Sequence, residues 1–351
     1  MAEIHRLKPA NRRDLTAKKS GGLVLKKEGK ASKGATIIDL ERKKSDAAAP
    51  TFTHLETDLH HRLQTLEKEQ AVQAFSLNFY RDVVNRLIAI DREEDHDEFG
   101  LDPELLKKIK PLFDFLYYKY WRVSVSGIEH VPANGPAIIV ANHSGTLPYD
   151  GAMIKAAILN EHPVRKDARF LVEDFVYHFP FLGTFMYRIG GVRACPENAE
   201  RLLKKGHLVI VFPEGVKGIG KNFKERYELQ RFGRGGFIRL ALRTGAPIIP
   251  VAVVGAEEIH PLIYKSTILA KPLGIPYVPF TPTLPLLGPL GLLPLPSKWH
   301  IHFGKPIDVH KRAIHKETEA LYVHQMSEKV RSTIQAMLTK GLKARQSIWW
   351  G

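Results

Sequence analysis

The chain has 351 residues, 44% of them hydrophobic and 25% charged, proportions of a globular protein that exclude wholesale disorder. Its single cysteine, Cys195, excludes a disulfide framework and a thiolate zinc site and suits a reducing compartment. The formal net charge of +15 points to an anionic partner: nucleic acid, an acidic lipid surface or a phosphorylated small molecule.

Residues 1–50 hold thirteen Lys/Arg against six Asp/Glu, with much Ala, Gly and Ser and no sustained apolar period. They read as a disordered basic tail, either simply solvated or tethering the chain to an anionic membrane. The tail lacks the apolar core of a secretory signal, so the expected location is the cytoplasm. Nothing downstream looks like a groove-reading module, so no nucleic-acid partner is expected. Leu55, Leu59, Leu63 and Leu66, continued by Phe75, Phe79, Val83 and Leu87, repeat at helical spacing and predict an amphipathic helix or helix pair to about Ile90. The charged stretch Asp91–Glu98 reads as a solvated connection. A further helix opens at Asp102-Pro103, a good N-cap and first-turn pair. Its end is dense in aromatics (Phe113, Phe115, Tyr117, Tyr118, Tyr120 and Trp121), which suit either a membrane interface or packing on the following domain. The organisation is therefore a tail over 1–50, a helical segment over 51–120 and a third region over 121–351.

In that third region the pattern alternates. β-rich runs fall at Arg122–Ser126, Ala137–Ala141, Ala168–Val172, His207–Phe212, Pro247–Val254 and Trp299–Phe303. Helical stretches fall near 150–160, 174–186, 197–205 and 234–244. This rhythm predicts an α/β fold with a largely parallel central sheet flanked by helices. A charged helix from about Lys316 to Lys343 closes the chain, followed by Trp349 and Trp350. The twenty-six residues between Lys271 and Lys298 carry no charge, but eight prolines and three glycines prevent them from forming one spanning helix. So long an apolar loop is unusual in a soluble protein.

Four places offer chemistry. The strand Ala137–Ala141 runs into Asn142-His143-Ser144, with Asp150 at the start of the next helix. A His at the carboxyl end of a buried strand, with a carboxylate to hold its tautomer, is the base–orienter half of a triad; a structural His satisfied by its surroundings is the other reading. No Ser or Cys is marked as a nucleophile, so the base would act on a hydroxyl of the substrate itself. Second, Phe212-Pro213-Glu214-Gly215-Val216-Lys217-Gly218 ends another apolar strand, as a polar headgroup site or an ordinary strand-ending loop. Third, Gly190-Gly191-Val192-Arg193 offers a second cation. Fourth, Arg231-Phe232-Gly233-Arg234-Gly235-Gly236 opens a helix, as an anion site or as a glycine-permitted close contact. The sixteen His are scattered without acidic partners at ligand spacing, so no metal site is expected.

The order of these blocks (Asn142-His143…Asp150, Gly190–Arg193, Phe212–Gly215, then Pro247-Ile248-Ile249-Pro250-Val251) resembles the glycerolipid acyltransferase family, which includes the glycerol-3-phosphate and lysophosphatidate acyltransferases. The resemblance covers roughly residues 121–310, with Phe303-Gly304-Lys305-Pro306-Ile307 similar to the family's last strand and turn. It implies acyl transfer from a thioester, acyl-CoA or acyl carrier protein, to a hydroxyl of a lysophospholipid or glycerol phosphate, with no further cofactor. His143 would be the general base and Asp150 its orienting carboxylate, separated by six residues where the family's usual block has four. Arg193, Glu214, Gly215 and Lys217 would hold the acceptor headgroup. Backbone amides beside His143 are candidate donors to the oxyanion. The departures at Val216, Lys217 and before Arg193 suit a divergent branch, and an acceptor such as a monoacylglycerol, diacylglycerol or long-chain alcohol is the alternative. A lipid-binding protein that keeps the fold without catalysis is another. The resemblance also gives the proline-rich loop a meaning: it would lie in the membrane interface or line the acyl tunnel, with Phe175–Met186 as another wall, in an enzyme held peripherally on the membrane.

Overall fold

Runs of Ala, Ile and Val without a polar side chain have only one stable setting, a sheet covered on both faces. A computed structural model describes residues 96–145, 147–165, 167–179, 181–309 and 316–351. The basic tail, the amphipathic helix to Ile90 and most of the acidic stretch lie outside the described residues. Nine strands occur among the described residues: β1 (Ser124–Ser126), β2 (Ala137–Ala141), β3 (Arg169–Val172), β4 (Gly191–Arg193), β5 (Leu208–Val211), β6 (Ile248–Val254), β7 (Tyr264–Ser266), β8 (Val278–Phe280) and β9 (His300–Phe303). Seven form the central sheet in the order β1-β9-β6-β2-β5-β3-β4, while β7 and β8 pair by themselves. The pairings β2 with β5 and β6, β3 with β4 and β5, and β1 with β9 are parallel. Within the central sheet, among the described residues, only β6 with β9 is antiparallel, so this sheet is largely parallel, as expected.

Among the described residues the α-helices are α1 (Pro103–Asp114), α2 (Tyr149–Glu161), α3 (Leu182–Arg188), α4 (Pro196–Lys204), α5 (Val216–Ile219), α6 (Gly236–Thr244) and α7 (Lys316–Ala344). Side chains alternate across a strand, and β2 shows the consequence. Ile139 and Ala141 join a core with Leu105, Ile109, Met153 and Ile154 on one face. Ile138 and Val140 join a second core with Leu202, Leu240, Ile334 and Leu338 on the other. The aromatic end of the Asp102 helix belongs to the first core: Tyr117 and Trp121 are fully buried, and Trp121 stacks on Trp299 at 4.7 Å.

Three local expectations change. The helix expected to run from Asp102 through the aromatics is α1 followed by a π-helical turn, Phe115–Tyr120. The single helix expected over 174–186 is a 3-10 turn, Asp174–His178, and then α3, with Phe181 between them at φ +64°. The apolar proline-rich run is not merely loop, because β7 and β8 pair within the excursion from Ile259 to Ser297. That excursion is closed at its base by Leu295 N–H donating to Ile259 C=O at 2.9 Å.

Candidate active site

The register of two parallel strands builds the site. Val140 pairs with Val211 across β2 and β5, so the residues three places beyond each of these two, His143 and Glu214, emerge side by side. This is the crevice outside the carboxyl ends of strands where α/β folds place their chemistry. The His143 backbone N–H donates to Glu214 Oε1 at 2.9 Å. The His143 ring stacks on Phe212 with centroids 4.3 Å apart. Its Nδ1 lies 2.6 Å from Asp150 Oδ2, and that carboxylate also accepts the Ser144 and Gly151 N–H groups at 3.0 and 2.8 Å. A carboxylate can only accept, so Nδ1 carries the proton and Nε2 is the basic nitrogen. The loop of six residues between His143 and Asp150 thus still brings the two together, with Asp150 1% exposed in the first turn of α2.

The ring of His143 lines a cavity of about 570 Å³, within the roughly 300–1,000 Å³ range of small-molecule sites. Phe170, Val176, Phe179 and Met186 form one side of the lining; Ile275, Pro276, Tyr277, Leu284 and Leu292 of the excursion form another. Both expected walls therefore meet at His143. Among the described residues the lining includes one carboxylate, Glu173, and no Lys or Arg.

The other expected site residues have different settings. Glu214 is 4% exposed, and its second oxygen accepts the Gln230 N–H at 2.7 Å and faces Lys221 Nζ at 3.4 Å. With both oxygens committed inside the protein, it serves as a strut beneath His143 rather than a hand toward a ligand. Gly215 does line the cavity, at φ +53° and ψ −144°, a conformation that only glycine adopts without strain. Lys217 is exposed on α5 and is not part of the lining. Arg193 forks onto Asp174 at 2.7 and 2.9 Å in a separate hollow with Tyr177, Tyr187 and Arg201. The amides of His143 and Ser144, candidates for holding an oxyanion, are both spent on carboxylates. At the fourth motif the close-contact reading wins: a Cβ on Gly235 would stand 2.4 Å from Val323 Cγ1 of α7.

Sequence reasoning missed the support under Glu214. Lys221 Nζ donates to Glu257 Oε1 at 2.9 Å, and Glu257 Oε2 accepts the Tyr227 N–H at 3.0 Å. All three charged groups are buried. Burial, helped by the neighbouring Glu214, pushes Glu257 up to about 7 against the pull of Lys221. The available signal was Glu257-Glu258, two acids beginning three places after an all-apolar strand. Gly218 was quoted in its motif without its reason: a Cβ there would stand 2.9 Å from His143 Cβ and 2.7 Å from Glu214 Cβ.

The family model named Acyltransferase matches residues 122–254, the span that carries His143, Asp150, Glu214 and Lys221. An uncharacterized protein of Mycobacterium tuberculosis is 46% identical over 256 residues, covering 73% of this chain and 72% of its own. The chloroplast 1-acyl-sn-glycerol-3-phosphate acyltransferase of Arabidopsis thaliana is 26% identical over 155 residues, 41% of this chain and 39% of the relative. A human protein named as a DGAT1/2-independent enzyme synthesizing storage lipids is 24% identical over 235 residues, 67% and 66% of the two chains.

Proposed function

The chain belongs to the glycerolipid acyltransferase family, and on that premise we propose that it moves a fatty acyl group from a thioester to a hydroxyl of a lysophospholipid or glycerol phosphate. The observation that carries this reading is the His143–Asp150 pair on the wall of an apolar cavity. His143 Nε2 takes the proton of the acceptor hydroxyl as its oxygen attacks the thioester carbonyl. Asp150 stabilises the imidazolium that forms. When the tetrahedral intermediate collapses, the carbon–sulfur bond breaks and the imidazolium returns its proton to the leaving thiolate. The apolar lining takes the acyl chain and keeps water from competing. Acyl-CoA or acyl carrier protein is the donor, and the enzyme works as a peripheral protein on the cytoplasmic face of a membrane. Among the described residues no helix is long and apolar enough to cross a bilayer.

One observation favours a second acceptor, a neutral lipid alcohol. Among the described residues the cavity lining carries Glu173 and no cation, and Arg193 is already neutralised by Asp174. A phosphate monoester needs compensating positive charge; a monoacylglycerol does not.

Thiol release from palmitoyl-CoA by the full chain in detergent tests both. It is measured without acceptor and with lysophosphatidate, glycerol 3-phosphate or monoacylglycerol, each beside His143→Ala. Release that requires a phosphorylated acceptor and His143 is the expected result. Release only with monoacylglycerol selects the second reading. Release that needs no acceptor makes the protein a thioesterase, and His143→Ala activity within tenfold of the unmodified protein removes His143 as the base.

A further inference from the structure

The excursion that walls the cavity has a second face. Ile263, Ile268, Leu286, Leu287, Leu290 and Leu293 of this excursion are exposed, Leu286 at 83%. A soluble surface seldom gathers so many large aliphatic side chains in one segment without a partner. Their setting narrows the partner's chemistry. No Asp or Glu occurs between Glu258 and Asp308, while Lys265 and Lys271 are exposed within the excursion. Its returning end runs past Arg122, whose guanidinium bonds the Pro296 C=O at 3.1 Å and sits 5.7 Å from the ring of Trp350. Trp350 is 80% exposed, and its neighbour Trp349 is exposed as well. Exposed aliphatics, a border of Trp, Arg and Lys, and no acid is the pattern that lies in the interface of an anionic bilayer. A protein-binding patch would carry a polar rim of both signs. The two faces are also continuous: Leu292 is 42% exposed and lines the cavity with Leu284.

We infer that the excursion from Ile259 to Ser297 is the surface by which the protein rests on an anionic lipid bilayer. Its exposed leucines enter the acyl region, and lipid chains pass into the His143 cavity between Leu284 and Leu292 without crossing water. The passage of chains rests on the acyl-transfer reading; the docking itself does not. Exposed tyrosine and lysine at the base of the excursion (Tyr264 and Lys265 on β7) would sit at headgroup level, because β7 and β8 hold that base against the body through Lys265 Nζ donating to the Gly220 C=O at 2.7 Å.

The test is co-sedimentation of the full chain with vesicles of phosphatidylglycerol and phosphatidylcholine, or of phosphatidylcholine alone, with no acyl donor present. The unmodified protein is expected to bind the anionic vesicles. The combined variant L286D/L290D/L293D should lower the partition coefficient at least tenfold, whereas Leu321→Asp, an exposed leucine of α7, should leave it unchanged. Thiol release from butyryl-CoA with glycerol 3-phosphate or monobutyrin as acceptor, all soluble without a membrane, should stay within threefold of normal in the triple variant, which also reports that it folds. As a measurement that needs no variant, amide hydrogen exchange over residues 284–293 of the unmodified protein should slow when vesicles are added. Binding that survives the triple substitution, loss caused equally by Leu321→Asp, or sedimentation without slower exchange in 284–293 would overturn the assignment. The last of these would hand membrane binding to another part of the chain. Failure of butyryl-CoA turnover in the unmodified protein would instead count against the acyl-transfer reading and leave the docking result standing.

Discussion

Glu214, Lys221 and Glu257 are 4%, 6% and 7% exposed and bond to one another and to backbone amides, while Leu286 and Leu290 of the excursion stand 83% and 65% exposed. The first region is buried charge with its partners in place. A buried charge is expensive unless paired, so such a cluster persists only where it holds something in position, and what it holds is the backbone of His143. The second region spends its apolar surface on solvent. The comparison separates two demands on a lipid enzyme: a reacting group fixed to a fraction of an ångström, and a wall that can meet molecules of no fixed shape. Substitutions in the first region should act on kcat, and those in the second on access to lipid.

The largest effect belongs to Asp150→Asn. An amide can present its N–H to Nδ1 and hold the imidazole in the wrong tautomer, and it cannot stabilise the imidazolium. In a serine-protease triad the same change costs about 10⁴ in kcat. A fall of about 10²–10⁴ in kcat is expected here, with KM for the thioester close to normal, read from steady-state thiol release. A rate within threefold of normal would show that the 2.6 Å contact orients nothing that the reaction uses.

Next comes Gly218→Ala. The added methyl would lie 2.9 Å from His143 Cβ and 2.7 Å from Glu214 Cβ, closer than carbon atoms tolerate, and the backbone of α5 must shift to make room. A displacement of about 1 Å can cost about 10²-fold in rate, so kcat should fall about 10- to 100-fold. The exposed leucines of the excursion lie outside α5, so vesicle binding should not change. A drop in KM-dependent access without a drop in kcat would break the division between the two regions.

The division also explains what the amino-acid order could and could not reveal. The strand Ala137–Ala141 is legible to the residue because an all-apolar five-residue run has no other setting, and His143 is legible because it ends that run. The partnership of Asp150 follows from short sequence distance. Lys221 and Glu257 are invisible by the same logic: they lie 36 positions apart, and the sheet order β6-β2-β5 brings the segments after β6 and β5 together. The strand β4 was hidden by the glycine pair Gly190-Gly191 at its start and by its three-residue length. Arg193 misled because a cation near a site in sequence points wherever its own strand points, here to Asp174 in the neighbouring hollow. The leucines of the excursion were plain as composition, but only the folded chain shows which stay exposed.

A smaller effect distinguishes Glu257 from a passive filler. Its carboxyl is pushed up to about 7, from an ordinary 4.5, by burial. The folded protein therefore holds this proton more tightly than the unfolded chain between about pH 4.5 and 7. Stability contributed by the neutral acid is present below that window and is lost as the pH rises through it. Glu257→Gln, which keeps the shape and stays neutral, should flatten the fall in urea midpoint between pH 5 and 7.5. An unchanged slope would place the titrating group elsewhere.

The smallest expected effect is also the sharpest on the acceptor. Arg193 is exposed and held in a bidentate pair with Asp174, also exposed, an arrangement that contributes little to stability. If catalysis depends only on the buried scaffold and the apolar cavity, Arg193→Ala should change kcat/KM for monoacylglycerol by less than about twofold. The same should hold for lysophosphatidate, because the guanidinium faces the separate hollow and not the lining around His143. A tenfold loss confined to lysophosphatidate would mean that Arg193 leaves Asp174 to grip a phosphate when the acceptor is bound. The exchange is chemically even, since a phosphate dianion offers the fork at least as good a partner as a carboxylate does. The two acceptors measured on one variant therefore decide whether the cation at the end of β4 belongs to the active site, which no single-acceptor assay could do.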